Sequence, residues 1–155
     1  MSPLVVSEAG ISPFTGGFHR RVEQFRVTLP GHWRQASTIR TFAVVLWPLG
    51  EDQHLVALPP RRWEKMVAEL RDQPLSDEEH AWMERILGMS VAWSDLDNAG
   101  RLTLPEQHFV RAGIGPEVEL IGRLDKFELW NPARYEQLML EQRKTAASIA
   151  KKLRL

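Results

Sequence analysis

The chain has 155 residues, 43% of them hydrophobic, with 20 Lys and Arg balanced by 20 Asp and Glu and no Cys. That length and apolar content suit one compact domain or two very small ones and exclude a wholly disordered chain. No apolar run approaches the roughly 18 residues of a membrane-spanning helix, and the lack of Cys excludes disulfide scaffolds, thiol catalysis and Cys-ligated zinc. The opening MSPLVVSEAGISPF has no basic segment ahead of its apolar patch, so residues 1–13 read as an extension rather than a secretory signal.

Next in chain order comes Arg26 to Leu29, an alternating strand, and Pro30 opens a short helix. Thr41 to Trp47 and His54 to Leu58 form a hairpin around Gly50-Glu51-Asp52-Gln53. Trp63, Met66, Val67 and Leu70 fall on one helical face. After Pro74, Ser76-Asp77-Glu78-Glu79 is a capping box that starts a helix over 77–87, with Gly88 as its stop. Ala92 to Leu96 alternates as a strand, Asp97-Asn98-Ala99-Gly100 is a turn, and Arg101 to Leu104 alternates again. Pro105 opens a second short helix, ended by Gly113 and Gly115. Glu117 to Ile121 and Lys126 to Trp130 form a hairpin around Gly122-Arg123-Leu124-Asp125. Tyr135, Leu138, Met139 and Gln142 begin a last helix, whose Ala-rich basic end is expected to fray.

This order repeats. Phe25-Arg26-Val27-Thr28-Leu29-Pro30 and Gly100-Arg101-Leu102-Thr103-Leu104-Pro105 share Arg, Thr, Leu and Pro at a spacing of 75. Pro60-Arg61-Arg62-Trp63-Glu64 and Pro132-Ala133-Arg134-Tyr135-Glu136 match at a spacing of 72, as do Gly50 and Gly122. Two copies of one unit follow, with a few extra residues in a loop of the first. The organisation read from this is an extension (1–13), a first unit (14–60), a helical spacer (61–90), a second unit (91–132) and a C-terminal helix with a basic tail (133–155). The fold class is α+β.

Charge is uneven along the chain. Residues 1–50 carry a net +3, residues 51–141 a net −8, and residues 142–155 a net +5. Such asymmetry fits either a polyanion-binding face or a solvated surface with a basic tail. The five His show no metal-ligand spacing, and no nucleophile elbow, Walker loop or dinucleotide fingerprint is present. The chain reads as no enzyme, without metal, cofactor or small-molecule substrate. Six Trp (33, 47, 63, 82, 93 and 130) are many for this length; Trp63 and Trp82 lie on apolar helix faces, where core or interface is expected.

The turn at Asp97 has its own chemistry. Its carboxylate accepts turn amides or pairs with Arg101, and Gly100 allows the chain to reverse. Arg101 then either staples the turn or offers its guanidinium fork to phosphate or guanine.

Asp97-Asn98-Ala99-Gly100-Arg101-Leu102-Thr103-Leu104-Pro105 resembles the D-x-x-x-R signature of the MraZ family. Glu117 to Gly122, Lys126 to Trp130 and the N-terminal Phe14-Thr15-Gly16-Gly17-Phe18-His19 resemble the same family, over about residues 14–140. The resemblance implies two tandem AbrB/SpoVT-type, swapped-hairpin-like β units in one chain, joined by a two-helix spacer. It implies a ring-shaped homo-oligomer, cytoplasmic and nucleoid-associated, that regulates transcription by binding direct repeats in the promoter of a division and cell-wall gene cluster. Its partners are then double-stranded DNA and itself, and the signature Arg contacts DNA, the first copy being the family's better established binder.

The first copy departs from the signature: Val22-Glu23-Gln24-Phe25-Arg26 has Val for Asp, Phe for Gly and Gln where a basic residue is frequent. Val22 cannot orient Arg26, and Phe25 is expected to resist positive φ, so this turn takes another shape or is held by other contacts. The DNA-binding set expected is Arg20, Arg21, Arg26, Arg34 and Arg101, with Asp97 and Gly100 forming the turn. The departure also opens a second reading, a family member that keeps the ring and serves as a non-DNA-binding interaction protein. The tail (Ala146, Ala147, Ile149, Ala150 and Leu153 among basic residues) packs on a neighbour, touches DNA or stays mobile.

Overall fold

The two longest apolar stretches in the middle of the chain pair with one another. Thr41–Trp47 (β3) and His54–Leu58 (β4) form an antiparallel hairpin with Val45 opposite Val56. In this computed structural model, which describes residues 12–48 and 53–154, five consecutive residues of β3 and all of β4 are buried. Continuous apolar strands of this kind are covered on both faces, here by the main core and by a helix. The expected turn at Gly50 lies outside the described residues, as do residues 1–11 of the extension.

The remaining elements are β1 (Gly17–Arg21), β2 (Arg26–Thr28), α1 (Gly31–Gln35), α2 (Pro60–Asp72), α3 (Asp77–Ser90), β5 (Ala92–Asp95), β6 (Arg101–Thr103), α4 (Glu106–Arg111), β7 (Glu117–Gly122), β8 (Phe127–Trp130) and α5 (Pro132–Ala150). Six strands make one antiparallel sheet in the order β1-β7-β8-β4-β3-β5. The order reads the same from either end. Hairpins β3–β4 and β7–β8 meet at its centre, and each is flanked by the first strand of the other half. Strand β1 pairs with β7, Arg20 opposite Val118, while β5 pairs with β3, Ala43 opposite Trp93. Strands β2 and β6 form a separate two-stranded ribbon.

The main core lies between sheet, ribbon and the two short helices. Phe14 and Trp33 are its largest members, with ring centroids 5.6 Å apart, and Phe42 and Phe127 close the aromatic cluster. Trp33 also donates from its indole to the Thr15 carbonyl at 2.7 Å, so its polar atom is satisfied. A second, smaller core has Ala43, Val45, Val56 and Leu58 under Trp63 and Met66 of α2. At the corresponding place under α5, the sheet is polar. Burial pushes the Glu128 carboxyl up, but donors from His54, Trp130 and Arg123 outweigh this and hold it below the ordinary carboxylate range.

Two expectations need correction. Gly88 does not stop α3, which runs on to Ser90. A glycine stops a helix when the backbone there turns left-handed; Gly88 stays helical, and the end comes where Val91 turns extended (φ −68, ψ 132). The basic end, expected to fray, is helical here: α5, whose start is capped by the Asn131 side chain accepting from the Arg134 N–H, runs through Ala150 and a short 3-10 turn follows at Lys151–Leu153. Of the two places expected for Trp82, its 51% exposure removes core and leaves interface. The capping box is present as expected, with Ser76 and Glu79 each bonding the other's main chain.

Candidate functional site

The ribbon brings the two repeated segments face to face. Arg26 stands opposite Thr103, Val27 opposite Leu102, and Thr28 opposite Arg101. Side chains alternate across a strand, so Val27 and Leu102 point inward together and both are fully buried. Arg26, Thr28, Arg101 and Thr103 therefore share the outer face. The main chain extends the pairing at both ends, Leu29 N–H to Gly100 carbonyl and Leu104 N–H to Phe25 carbonyl, each 3.0 Å. The outcome is a two-fold patch: an Arg and a Thr from each half, with the two turns at opposite ends.

The second turn is built by Asp97. Its carbonyl accepts the Gly100 N–H at 2.9 Å, and Gly100 takes φ +77, a region closed to most side chains. One carboxylate oxygen accepts the N–H groups of Ala99 and Arg101 at 2.9 Å each, and the other accepts Arg101 Nε at 2.8 Å. The Arg101 main-chain N–H leads the causes that hold the Asp97 carboxyl below its ordinary range, partial desolvation opposing. Of the two roles left open by the sequence, the staple is present, and it does not use up the guanidinium fork. Asp97 takes Nε, and the two terminal nitrogens of Arg101 make no hydrogen bond among the described residues.

The first turn does take another shape. Glu23 and Arg26 exchange main-chain hydrogen bonds at 3.1 and 3.0 Å around only two residues, Gln24 (φ 52) and Phe25 (φ 59). Positive φ at both central positions is the type I′ hairpin turn, normally Asn-Gly. Phe25 therefore adopts positive φ, against expectation and at a cost. Its ring lies 6.0 Å from that of Phe109 on α4, a contact that offsets the cost. In place of the missing carboxylate, Gln24 Oε1 accepts from Arg26 Nη2 at 2.6 Å. Phe25→Gly is thus expected to be more stable than Phe25→Ala by about 1 kcal/mol, reversing the usual order, because both lose the ring and only glycine relieves the left-handed backbone. Denaturant midpoints at one protein concentration check this, and an alanine variant at least as stable would remove the strain.

Each turn is covered by the short helix of the other half. As Phe109 covers Phe25, Arg34 of α1 covers Gly100: a Cβ built there would lie 2.4 Å from Arg34 Nη1. Arg40, absent from the sequence-based set, donates to the Asp97 carbonyl at 3.3 Å. Its only advance signal was membership in the basic first third. Arg34, Arg40 and Arg101 thus surround one turn.

Arg20 and Arg21 are not brought to this patch. They lie on β1, in the other sheet, and their side chains leave it on opposite faces. The Arg20 guanidinium sits 5.3 Å over the Phe18 ring and donates to the His19 carbonyl. Arg21 stands opposite Glu117, beside His19, whose pKa is raised by hydrogen bonds to Glu119 and Glu117. Among the described residues no cluster of His, Cys, Asp or Glu is arranged to hold a metal, and no helix is long and apolar enough to cross a membrane. Chemically, the outer ribbon offers guanidinium forks and hydroxyls, groups that suit phosphate oxygens and base edges.

Comparison with known proteins agrees with the signature. The family model described as "MraZ protein, putative antitoxin-like" matches residues 93–154. A protein named transcriptional regulator MraZ from Roseiflexus castenholzii is 26% identical over 141 residues, 90% of this chain and 96% of its own length. The protein of that name from Syntrophobacter fumaroxidans is 30% identical over 119 residues, 76% of this chain and 78% of its own. That from Azotobacter vinelandii is 28% identical over 107 residues, 68% of this chain and 70% of its own. With one signature turn intact, a second altered but in the same ribbon, and relatives matched across most of both lengths, the chain belongs to the MraZ family.

Proposed function

We propose that this chain is a DNA-binding transcriptional regulator of a division and cell-wall gene cluster, acting on promoter direct repeats as a homo-oligomeric ring in the cytoplasm, at the nucleoid. The observation that carries this reading is the outer ribbon face, with Arg26, Thr28, Arg101 and Thr103 exposed or half-exposed over a buried Val27–Leu102 pair. The halves 14–60 and 91–132 are AbrB/SpoVT-type units, a reading supported by the exchange of β1 and β5 between them. Arg34 and Arg40 add positive charge at the second turn and position the protein on phosphates, while Arg26 and Arg101 reach base edges. Arg20 and Arg21 contribute at most peripheral phosphate contacts from β1. One ribbon offers few contacts, and a ring multiplies them by linking identical faces.

The test is an anisotropy titration against the promoter upstream of the protein's own gene and an unrelated duplex, at two salt concentrations. Tighter binding to the promoter is expected, with log K falling against log salt by about 0.9 for each phosphate neutralised. Equal, weak binding to both duplexes would overturn sequence-specific regulation. The specific feature favouring the second reading, a non-DNA-binding interaction protein, is the first turn, where exposed Phe25 and Gln24 replace glycine and a basic residue. No binding by an intact oligomer at low salt would establish that reading instead.

A further inference from the structure

Among the described residues the C-terminal half of α5 has no packing partner. Every residue from Leu140 to Arg154 is exposed, yet the helix there carries an apolar row. Leu138 and Met139, half-buried against the body, are continued at helical spacing by Ala146, Ile149 and Leu153, the last two 53% and 63% exposed. Around this row are Arg143, Lys144, Lys151, Lys152 and Arg154, with no acid from residue 142 onward.

A complementary surface lies on α3. Trp82, Ile86 and Met89 follow at i, i+4 and i+7, and Met89 is 86% exposed. The row ends in a cleft of about 930 Å³ where Ile86, Met89, Leu46 and Val110 are joined by the charged residues Glu106 and Arg111. The helix carries Asp77, Glu78, Glu79 and Glu84 against Arg85 alone, so its side chains are net acidic where the tail is net basic. Lengths also agree: at 1.5 Å per residue, residues 142–153 and the 14 residues of α3 both span roughly 20 Å.

We infer that the basic, apolar-striped end of α5 docks on the apolar row of α3, flanked by Glu78 and Glu79 against Arg85 alone, in a second copy of the chain. The pairing is head-to-tail, because the two surfaces are different, and such contacts close into rings or run on as filaments. The inference rests on the homo-oligomeric reading above and names the contact that would build it. It also assigns the basic tail to a protein surface rather than to DNA.

The experiment is a mass determination by light scattering on the full chain and two double variants, Ile149→Gln/Leu153→Gln on the tail and Ile86→Gln/Met89→Gln on α3. All four positions are exposed and glutamine favours helix, so folding is retained and far-UV circular dichroism checks it. The unmodified chain is expected to be an oligomer, and each variant a smaller species. An equimolar mixture is expected to give a one-to-one complex, because each variant keeps the surface the other lacks. An oligomer whose mass neither variant changes would overturn the docking and leave the ring standing. A single-subunit unmodified chain would overturn the ring as well. Unchanged mass with weakened duplex binding in the tail variant would give the tail to DNA and overturn the docking.

Discussion

Arg101→Ala is expected to weaken promoter binding at least tenfold, and more than Arg26→Ala does. A guanidinium on a base edge is worth about 1–3 kcal/mol of discrimination, and in the proposed ring the loss recurs in every engaged subunit. The ordering comes from preorganisation. Arg101 has its Nε held by Asp97 at 2.8 Å, on a turn fixed by two further bonds to the same carboxylate, with both terminal nitrogens left for a ligand. Arg26 is held only through a terminal nitrogen, by the flexible Gln24, and must release that contact or reorient to use its fork. Asp97→Asn separates positioning from contact. It removes the charge that orients Arg101 without touching the guanidinium, so it should lie between the wild type and Arg101→Ala. Anisotropy titrations of the three variants at one salt concentration, with oligomer mass as control, check the series. Unchanged affinity in Arg101→Ala would take this residue off the interface, and a larger loss in Arg26→Ala would reverse the assigned order.

What could be read in advance follows the range of the interaction involved. The Asp97–Arg101 pair spans a single turn, so its residues and spacing were enough to expect it. Strands β3 and β4 have the expected limits because apolar patterning alone sets a strand buried on both faces. The changed shape of the first turn is legible in Val22 and Phe25, but the left-handed Phe25 itself is not, because it depends on Phe109, 84 positions later, and no local propensity contains that contact. Arg40 was missed for the same reason, since the carbonyl it meets lies 57 positions away. Gly88 shows the converse: a residue that permits a helix stop does not impose one when the chain beyond it has no need to reverse. The exchange of β1 and β5 ties these cases together. Each turn is finished by the opposite half, so a repeat identified by sequence still conceals which copy supports which.

Gly122→Ala carries the largest expected loss of stability. The sequence assigns Gly122 to the turn of the second hairpin, yet it is the last residue of β7, and its φ is not positive. What it supplies is room. A Cβ there would lie 2.4 Å from the Phe14 carbonyl oxygen and 2.7 Å from the Thr15 nitrogen, both main-chain atoms. They cannot retreat cheaply. Phe14 and Leu124 exchange two main-chain hydrogen bonds at 3.0 and 2.9 Å, and the Gly122 N–H donates to the Gly16 carbonyl at 2.8 Å. One methyl group must therefore displace residues 14–16 as a unit, drawing Phe14, 1% exposed, away from Trp33, Phe42 and Phe127. Removal of a buried aromatic costs about 3–5 kcal/mol, and Gly122→Ala is expected to cost a similar amount although it adds one carbon, whereas Phe14→Ala deletes the whole ring. Phe14→Ala is the reference, and the double variant tests the route. If the methyl acts by expelling Phe14, the two losses are far from additive and the double variant is little worse than either single one. Equilibrium denaturation at fixed protein concentration measures all three. A Gly122→Ala chain within 1 kcal/mol of the parent would show that the N-terminal segment yields without losing its ring from the core.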